Sequence, residues 1–255
     1  MNSRAGGLFN YTRNDMNTSG KTLPGIDALL AGNSYPGRGI AVGTSPNGKK
    51  AVAAYFIMGR SANSRNRVFA SREGGIFTEP FDPSLVQDPS LIIYAAVRKC
   101  RSALIVTNGD QTDTIYSALE EGKGFDDALS TREFEPDAPN FTPRISAILD
   151  FEGGFSYEMS ILKSVDAEGS ASARYFFRYP PKAGLGHLIH TYVGDGNPLP
   201  SFEGEPRRFA TSNSIDDFTD SLWNALDPEN RISLWVRYTD IATGDYKEKT
   251  VNKNV

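Results

Sequence analysis

The 255 residues include only one cysteine (Cys100) and two histidines (His187 and His190). A single thiol excludes an internal disulfide framework and any multi-cysteine zinc or iron–sulfur site, and it suits the reducing cytoplasm. The histidines stand three apart in a stretch with strand pattern. That spacing sends them to opposite faces and argues against a shared metal, with one expected half-buried and the other solvated. No apolar run approaches the length of a membrane span, and residues 1–20 lack the apolar core of a signal peptide. Positive charge is not in excess: 27 Lys and Arg stand against 31 Asp and Glu, a net charge of -4. A surface built for non-specific nucleic-acid binding is therefore not expected. Also missing are a GxSxG elbow, a Walker A loop, a GxGxxG fingerprint and an HExxH helix. No Ser, Thr or Cys stands at a mature terminus before the first strand, so an N-terminal nucleophile is unsupported. The expected partner is a small molecule, neither nucleic acid nor membrane.

What remains is an ordinary globular composition, 39% hydrophobic and 23% charged, long enough to bury a sizeable core. Residues 1–34 are polar and irregular except for Ile26 to Leu30, and read as an N-terminal extension lying over the body. Residues 35–255 show no linker or internal repeat, and one domain is expected there.

Gly39–Gly43 and Ala51–Met58 read as strands joined by a turn at Ser45-Pro-Asn-Gly48. Arg67–Ala70 and Gly75–Thr78 suit a second hairpin, and residues 80–89 a loop. Leu91–Cys100 fits helix or strand equally. Ala103–Thr107 is a strand that Asn108-Gly109-Asp110 breaks. Helical spacing follows over Thr112–Glu121, with a short helix at Phe125–Thr131. Arg144–Phe151, Ser156–Val165, Ala173–Tyr179 and Leu188–Val193 read as further strands, mostly antiparallel. Ser214–Leu226 is a capped helix with Ile215, Phe218, Leu222 and Trp223 on one face, and Ile232–Tyr238 is a last strand. The sum is an α+β fold, with sheets packed together and helices outside.

Three segments carry chemistry. In the first, Gly59 to Arg67, three guanidiniums (Arg60, Arg65, Arg67) alternate with Ser61, Asn63, Ser64 and Asn66. Arginine forks match phosphate oxygens, and like charges crowded into a loop cost free energy unless an anion compensates. With Arg38 nearby in the preceding hairpin, a phosphate or ribotide site is favoured over a solvated basic turn. The second is the strand-to-helix junction Thr107-Asn108-Gly109-Asp110-Gln111-Thr112-Asp113. Asp110 or Thr112 can cap the helix, but capping does not require the other polar residues. Two carboxylates make it a poor phosphate site and suit sugar hydroxyls, a base edge or a proton in transfer. In the third, Asn140-Phe-Thr142-Pro-Arg144-Ile, the arginine either faces a ligand or pairs with a surface acid.

Together these segments resemble the archaeal-type inosine monophosphate (IMP) cyclohydrolases. The matching stretches are Tyr35-Pro-Gly-Arg-Gly-Ile-Ala-Val-Gly43, Arg60-Ser61…Asn66-Arg67, Thr107 to Ile115 and Thr142-Pro-Arg-Ile145. Weaker matches are His190-Thr-Tyr192 and Gly204-Glu-Pro206. They run in collinear order over about residues 35–210; the stretches outside align poorly. The resemblance implies a four-layer α-β-β-α sandwich of mainly antiparallel sheets, like that of the N-terminal-nucleophile hydrolases but without the nucleophile. It also implies ring closure of 5-formamidoimidazole-4-carboxamide ribotide (FAICAR) to IMP and water, with no metal or cofactor, in a cytoplasmic homo-oligomer.

On that basis the phosphate falls to Arg60, Ser61, Arg65 and Arg67, with Asn63 and Asn66 beside them and Arg38 either there or at the formyl oxygen. Asn108, Gly109, Asp110, Gln111, Thr112 and Asp113 are expected on the base and ribose side, with Thr142 and Arg144. Tyr55, Tyr94 and Tyr192 are candidate proton donors or stacking partners, and Glu152, before Gly153-Gly154, a candidate proton acceptor. A hydrolase of a related nucleotide formamide or cyclic amidine, or a non-catalytic purine-nucleotide binding module, would use the same pocket.

Overall fold

The computed structural model describes residues 22–86 and 93–255. Most of the expected extension, the end of the 80–89 loop and the start of the ambiguous stretch at 91–92 lie outside the described residues. The chain runs α1 (Ile26–Leu30), β1 (Arg38–Thr44), β2 (Lys50–Met58), α2 (Ala62–Arg65), β3 (Arg67–Arg72), β4 (Gly75–Pro80) and β5 (Tyr94–Cys100). It continues with β6 (Ala103–Thr107), α3 (Gln111–Glu120), α4 (Phe125–Ser130), β7 (Arg144–Asp150), β8 (Ser156–Ser164) and β9 (Ser172–Tyr179). The last elements are β10 (Leu185–His190), β11 (Arg207–Ala210), α5 (Ile215–Ala225), β12 (Arg231–Asp240) and β13 (Tyr246–Asn252).

The strands form two sheets, in the orders β11-β10-β1-β2-β12-β13 and β3-β4-β5-β6-β7-β8-β9. The ladders between neighbouring strands are antiparallel. The fold is α+β, with few helices. Strand alternation sorts the side chains into cores. Ile40, Val42, Tyr55, Ile57 and Trp235 of the first sheet meet Val97, Val106, Ile145 and Met159 of the second. The intervening residues Ala41, Phe56, Leu188 and Leu234 pack instead against Ile26 and Leu30 of α1 and Phe218 and Leu222 of α5. On the far side of the second sheet, Ile105 and Ile148 pack against Ile115 and Ala118 of α3 and Phe125 and Leu129 of α4. Central strands buried on both faces explain the near-continuous apolar run of β2. Each large side chain buried there contributes about 1.5–3 kcal/mol.

Several local readings need correction. Of the ambiguous 91–100 stretch, Tyr94–Cys100 is a strand, β5, hydrogen-bonded between β4 and β6. The strand expected at Leu188–Val193 runs Leu185–His190, because Gly184 turns the chain with φ +80° just before it. Both histidines are buried, at 3% exposure each, where one was expected to be solvated. His187 hydrogen-bonds the Tyr157 hydroxyl at 2.7 Å and stacks on Tyr179; His190 Nδ1 meets the Tyr192 carbonyl at 2.7 Å. The Gly59–Arg67 loop contains a one-turn helix, α2, and Ile232–Tyr238 is not the last strand, since β13 follows along its edge. Among the described residues no helix is long and apolar enough to cross a membrane.

Candidate functional site

At one end of the paired sheets, β1, β3, β5 and β7 begin while β2 and β10 end. Gly37 (φ +80°) turns the chain into β1 beside Thr191 and Tyr192, where a Cβ would lie 2.2 Å from the Thr191 hydroxyl. Only glycine fits there, and the turn aims Arg38 inward. Loops 59–66, 133–142 and 192–199 wall the opening. Between them lies a cleft of about 330 Å³. Arg38, Arg60, Ser61, Asn63, Arg67, Thr142 and Tyr192, all singled out by sequence, line it.

Arg38 is mostly buried and its Nη2 donates to both oxygens of Glu135, at 3.2 and 3.3 Å. Its Nε is buried and has no hydrogen-bond partner among the described residues. Burial opposes the charge of Arg38, but Glu135 and the tyrosines around it outweigh that and keep it firmly protonated. Glu135 is 4% exposed, and burial pushes its carboxyl above the usual range, with Arg38 and Arg144 acting against the rise. A carboxyl of that kind is suited to take up and return a proton.

Arg67 is also buried, at 3% exposure. Its guanidinium donates to the carbonyls of Ser64 (2.8 Å) and Met58 (3.0 Å). No carboxylate among the described residues forms an ion pair with it. Burial, and Arg38 nearby, push its pKa down. A buried cation facing a cleft without a counter-ion is costly unless an anion arrives. Arg60 stands at the rim, paired with Asp195, donating to the Gly196 carbonyl at 3.0 Å and lying over the Tyr35 ring. Asn63 adds a buried carbonyl oxygen with no partner among the described residues. Ser61 caps α2, accepting from Ser64 N at 3.1 Å, so its hydroxyl is positioned by the helix it starts.

The far wall is a stapled loop. Thr142 N donates to Asp137 Oδ1 at 2.6 Å, its hydroxyl bonds the other Asp137 oxygen, and it meets the Tyr192 hydroxyl at 2.5 Å. Beneath the floor the Tyr55 and Tyr94 hydroxyls meet at 2.7 Å, joining the two sheets; burial raises the pKa of Tyr55.

Other residues singled out by sequence stand elsewhere. Arg65 points to the Gly59 carbonyl and Asn230, and Asn66 holds the backbone of Asp82. Asn108 is spent on the Pro143 carbonyl and Ile145 N. Gln111 is fixed to Asn108 and Arg144, and Thr112 to Thr107. Asp110 begins α3 without a capping bond from its side chain; it pairs instead with Arg144 and Arg132. Asp113 pairs with Arg98 on the outer surface. Glu152 is exposed beyond the opposite end of β7, roughly 20 Å away at the usual strand rise.

Sequence reasoning missed Glu135, Asp137 and Leu199 in the cleft wall, and gave no role to Tyr35 and Asn140, which stood within its segments. Glu135-Pro-Asp137, two acids around a proline shortly before Thr142-Pro-Arg144, was the available signal. A smaller cavity of about 130 Å³ at the opposite end of the sheets includes Arg237, but that cation is already matched by Glu248 at 2.6 Å. Among the described residues no three His, Cys, Asp or Glu side chains converge to hold a metal ion.

A family model described as IMP cyclohydrolase-like protein matches residues 35–245. The chain belongs to that family. It is 32% identical to the IMP cyclohydrolase of Methanopyrus kandleri over 171 residues, 66% of this chain and 79% of the relative. It is 35% identical to that of Methanothrix thermoacetophila over 119 residues, covering 45% and 57% of the two chains. With that of Methanosphaera stadtmanae the identity is 31% over 124 residues, covering 47% and 59%. The family match takes in the whole of β1 to β12 and so includes every wall of the cleft.

Proposed function

We propose that the chain is an IMP cyclohydrolase that closes FAICAR to IMP and water in this cleft. Family membership supports the reaction, and the observation that carries the site is Arg67: a buried guanidinium on the cleft with no anionic partner among the described residues, where a ribotide phosphate supplies one. Arg60, Ser61 and Asn63 complete that subsite, and Arg60 exchanges Asp195 for phosphate oxygens.

The substrate brings nucleophile and electrophile on one ring, so approach costs little entropy once the formyl group is turned toward the carboxamide. The carboxamide nitrogen attacks the formyl carbon and gives up a proton, and a C–N bond forms as the carbonyl π-bond becomes an oxyanion. Arg38, whose Nε lacks an acceptor, stabilises that oxyanion. Glu135 takes the carboxamide nitrogen proton and the oxyanion is protonated to a hydroxyl. The former formamide nitrogen then gives up its own proton and forms the C=N bond as the C–O bond breaks, and the oxygen, with its second proton, leaves as water. Tyr192, which keeps its proton at neutral pH, donates to the departing oxygen with Thr142 behind it. Tyr94, through Tyr55, steadies Arg38 from below. The reaction needs neither redox chemistry nor a group carrier.

The same reading extends to a four-layer α-β-β-α sandwich of the N-terminal-nucleophile-hydrolase kind, which the helix-covered outer faces of the sheets support, and to a cytoplasmic homo-oligomer. The test is the absorbance change on mixing purified protein with FAICAR in the presence of chelator. Turnover to IMP that Arg67→Met weakens chiefly through KM supports the reading. IMP binding without turnover would make the protein a nucleotide-binding module, and neither binding nor turnover would remove the ribotide.

A further inference from the structure

The junction at 107–113 is dense in polar side chains, yet none of them lines the cleft. What it reaches is Arg144. Asp110 Oδ1 lies 2.6 Å from Arg144 Nη1, and Gln111 Oε1 accepts from the same nitrogen at 2.8 Å. Gln111 is itself immobilised, its amide donating to Asn108 Oδ1 at 3.0 Å and the Ile145 carbonyl at 3.2 Å. Arg132 occupies the other Asp110 oxygen at 2.5 Å. There is no spare room: a Cβ on Gly109 would lie 2.6 Å from Arg144 Nη1 and 3.7 Å from Glu135 Oε1. The helix start, the guanidinium and the cleft carboxyl are thus within a few ångströms of one another.

We propose that Arg144, clamped by Asp110 and Gln111, is a positioning residue that sets the proton affinity of Glu135 from behind the cleft wall. The inference rests on the reading of Glu135 as proton acceptor in turnover. The charged and titratable groups facing Glu135 are Arg38 from β1, Arg144 from β7, Asp137 on its own loop and Tyr192 after β10. Arg38 is needed for the oxyanion. An unclamped Arg144 would add a full second cation, pull the Glu135 carboxyl down and make it a weaker base. Without Arg144, burial would raise the Glu135 carboxyl further and shrink the fraction ready to accept a proton. Asp110 offsets part of the Arg144 charge and so keeps the carboxyl between those extremes.

Two substitutions should therefore act with opposite sign on the acidic limb of the pH–rate profile. Arg144→Gln removes the cation and moves the limb up by about one pH unit. Asp110→Asn, which keeps the shape, leaves Arg144 less compensated and moves the limb down by a smaller step. Arg144→Lys restores the wild-type limb in part. The Glu135 carboxyl carbon, followed by carbon-13 NMR and assigned with Glu135→Gln, should shift the same way in each variant without any substrate. Shifts of equal sign in the two variants, or none, would overturn the inference and leave the clamp as packing. Asp110→Asn alone decides the sign if Arg144→Gln does not fold. A wild-type protein with no turnover would remove the ribotide reading while the NMR titration still tests the coupling.

Discussion

The Tyr192 hydroxyl lies 2.5 Å from Thr142 Oγ1, tying the loop after β10 to the strand entry of β7 across the cleft. Thr142 in turn bonds both oxygens of Asp137. Burial raises the Tyr192 hydroxyl to about 12, even though Arg38 and Thr142 pull it down. It therefore remains a proton donor throughout the neutral range. Tyr192→Phe removes that proton and keeps the ring, and should lower kcat roughly 10²-fold with a smaller change in KM. An unchanged kcat would return Tyr192 to a packing role against Tyr35, on whose ring it stacks.

The two cleft arginines of the first polar segment should separate in titrations with inorganic phosphate or IMP. Arg60 is partly exposed and already has Asp195, so Arg60→Ala should raise KM about tenfold with little effect on folding. Arg67 is buried without an anionic partner among the described residues, and Arg67→Met should abolish the rise in melting temperature that IMP gives the wild type. Equal ligand-induced stabilisation in wild type and Arg67→Met would place the phosphate elsewhere.

Asn108 offers a contrast, because its hydrogen bonds all lie within the protein. Asn108→Ala strands the Pro143 carbonyl and Ile145 N and should destabilise the fold by about 2 kcal/mol, measured by denaturant unfolding, while KM stays near wild type. A raised KM at unchanged stability would show that the side chain meets ligand after all.

The contrast shows which parts of the site can be read from a sequence. The arginine and serine loop was legible because unsatisfied donors crowded beside a strand end have few uses other than an anion. Asn108, Gln111 and Thr112 look the same in one dimension, but Asn108 and Gln111 bond each other and the backbone at the start of β7, which only the register of β6 against β7 determines, and Thr112 bonds Thr107 and the Gly109 carbonyl. Glu135 was invisible for the opposite reason. An acid in a proline-rich loop resembles any surface turn until its burial beside Arg38 is seen. Strands with a marked turn or alternation, such as β1, β2 and β6, were readable locally. β13, Tyr-Lys-Glu-Lys-Thr-Val-Asn, was not, because an edge strand exposes most of its length and needs little apolar sequence.

The two histidines predict a pH dependence of stability. Burial lowers both to about 4, from 6.5, so between those values the unfolded chain binds more protons than the folded one. Stability is then fully present above about pH 6.5 and is lost as pH falls toward 4, by of order 2–3 kcal/mol for each histidine. Denaturant melts at pH 7 and pH 4.5 should differ accordingly, and His187→Gln should flatten part of the slope. An equal slope in that variant would assign the loss to carboxylates instead.

β12 lies beside β2 in the first sheet, although some 170 residues of chain separate them. During synthesis the β1–β2 hairpin must wait, its apolar edge unpaired, while the whole second sheet is made. The later partner arrives only when residues beyond 231 have left the ribosome. The second sheet, built from strands that follow one another along the chain, has no such delay. Birth of the protein is therefore asymmetric, and the Arg38 side of the cleft is the half that a nascent chain must protect from aggregation until that partner is in place.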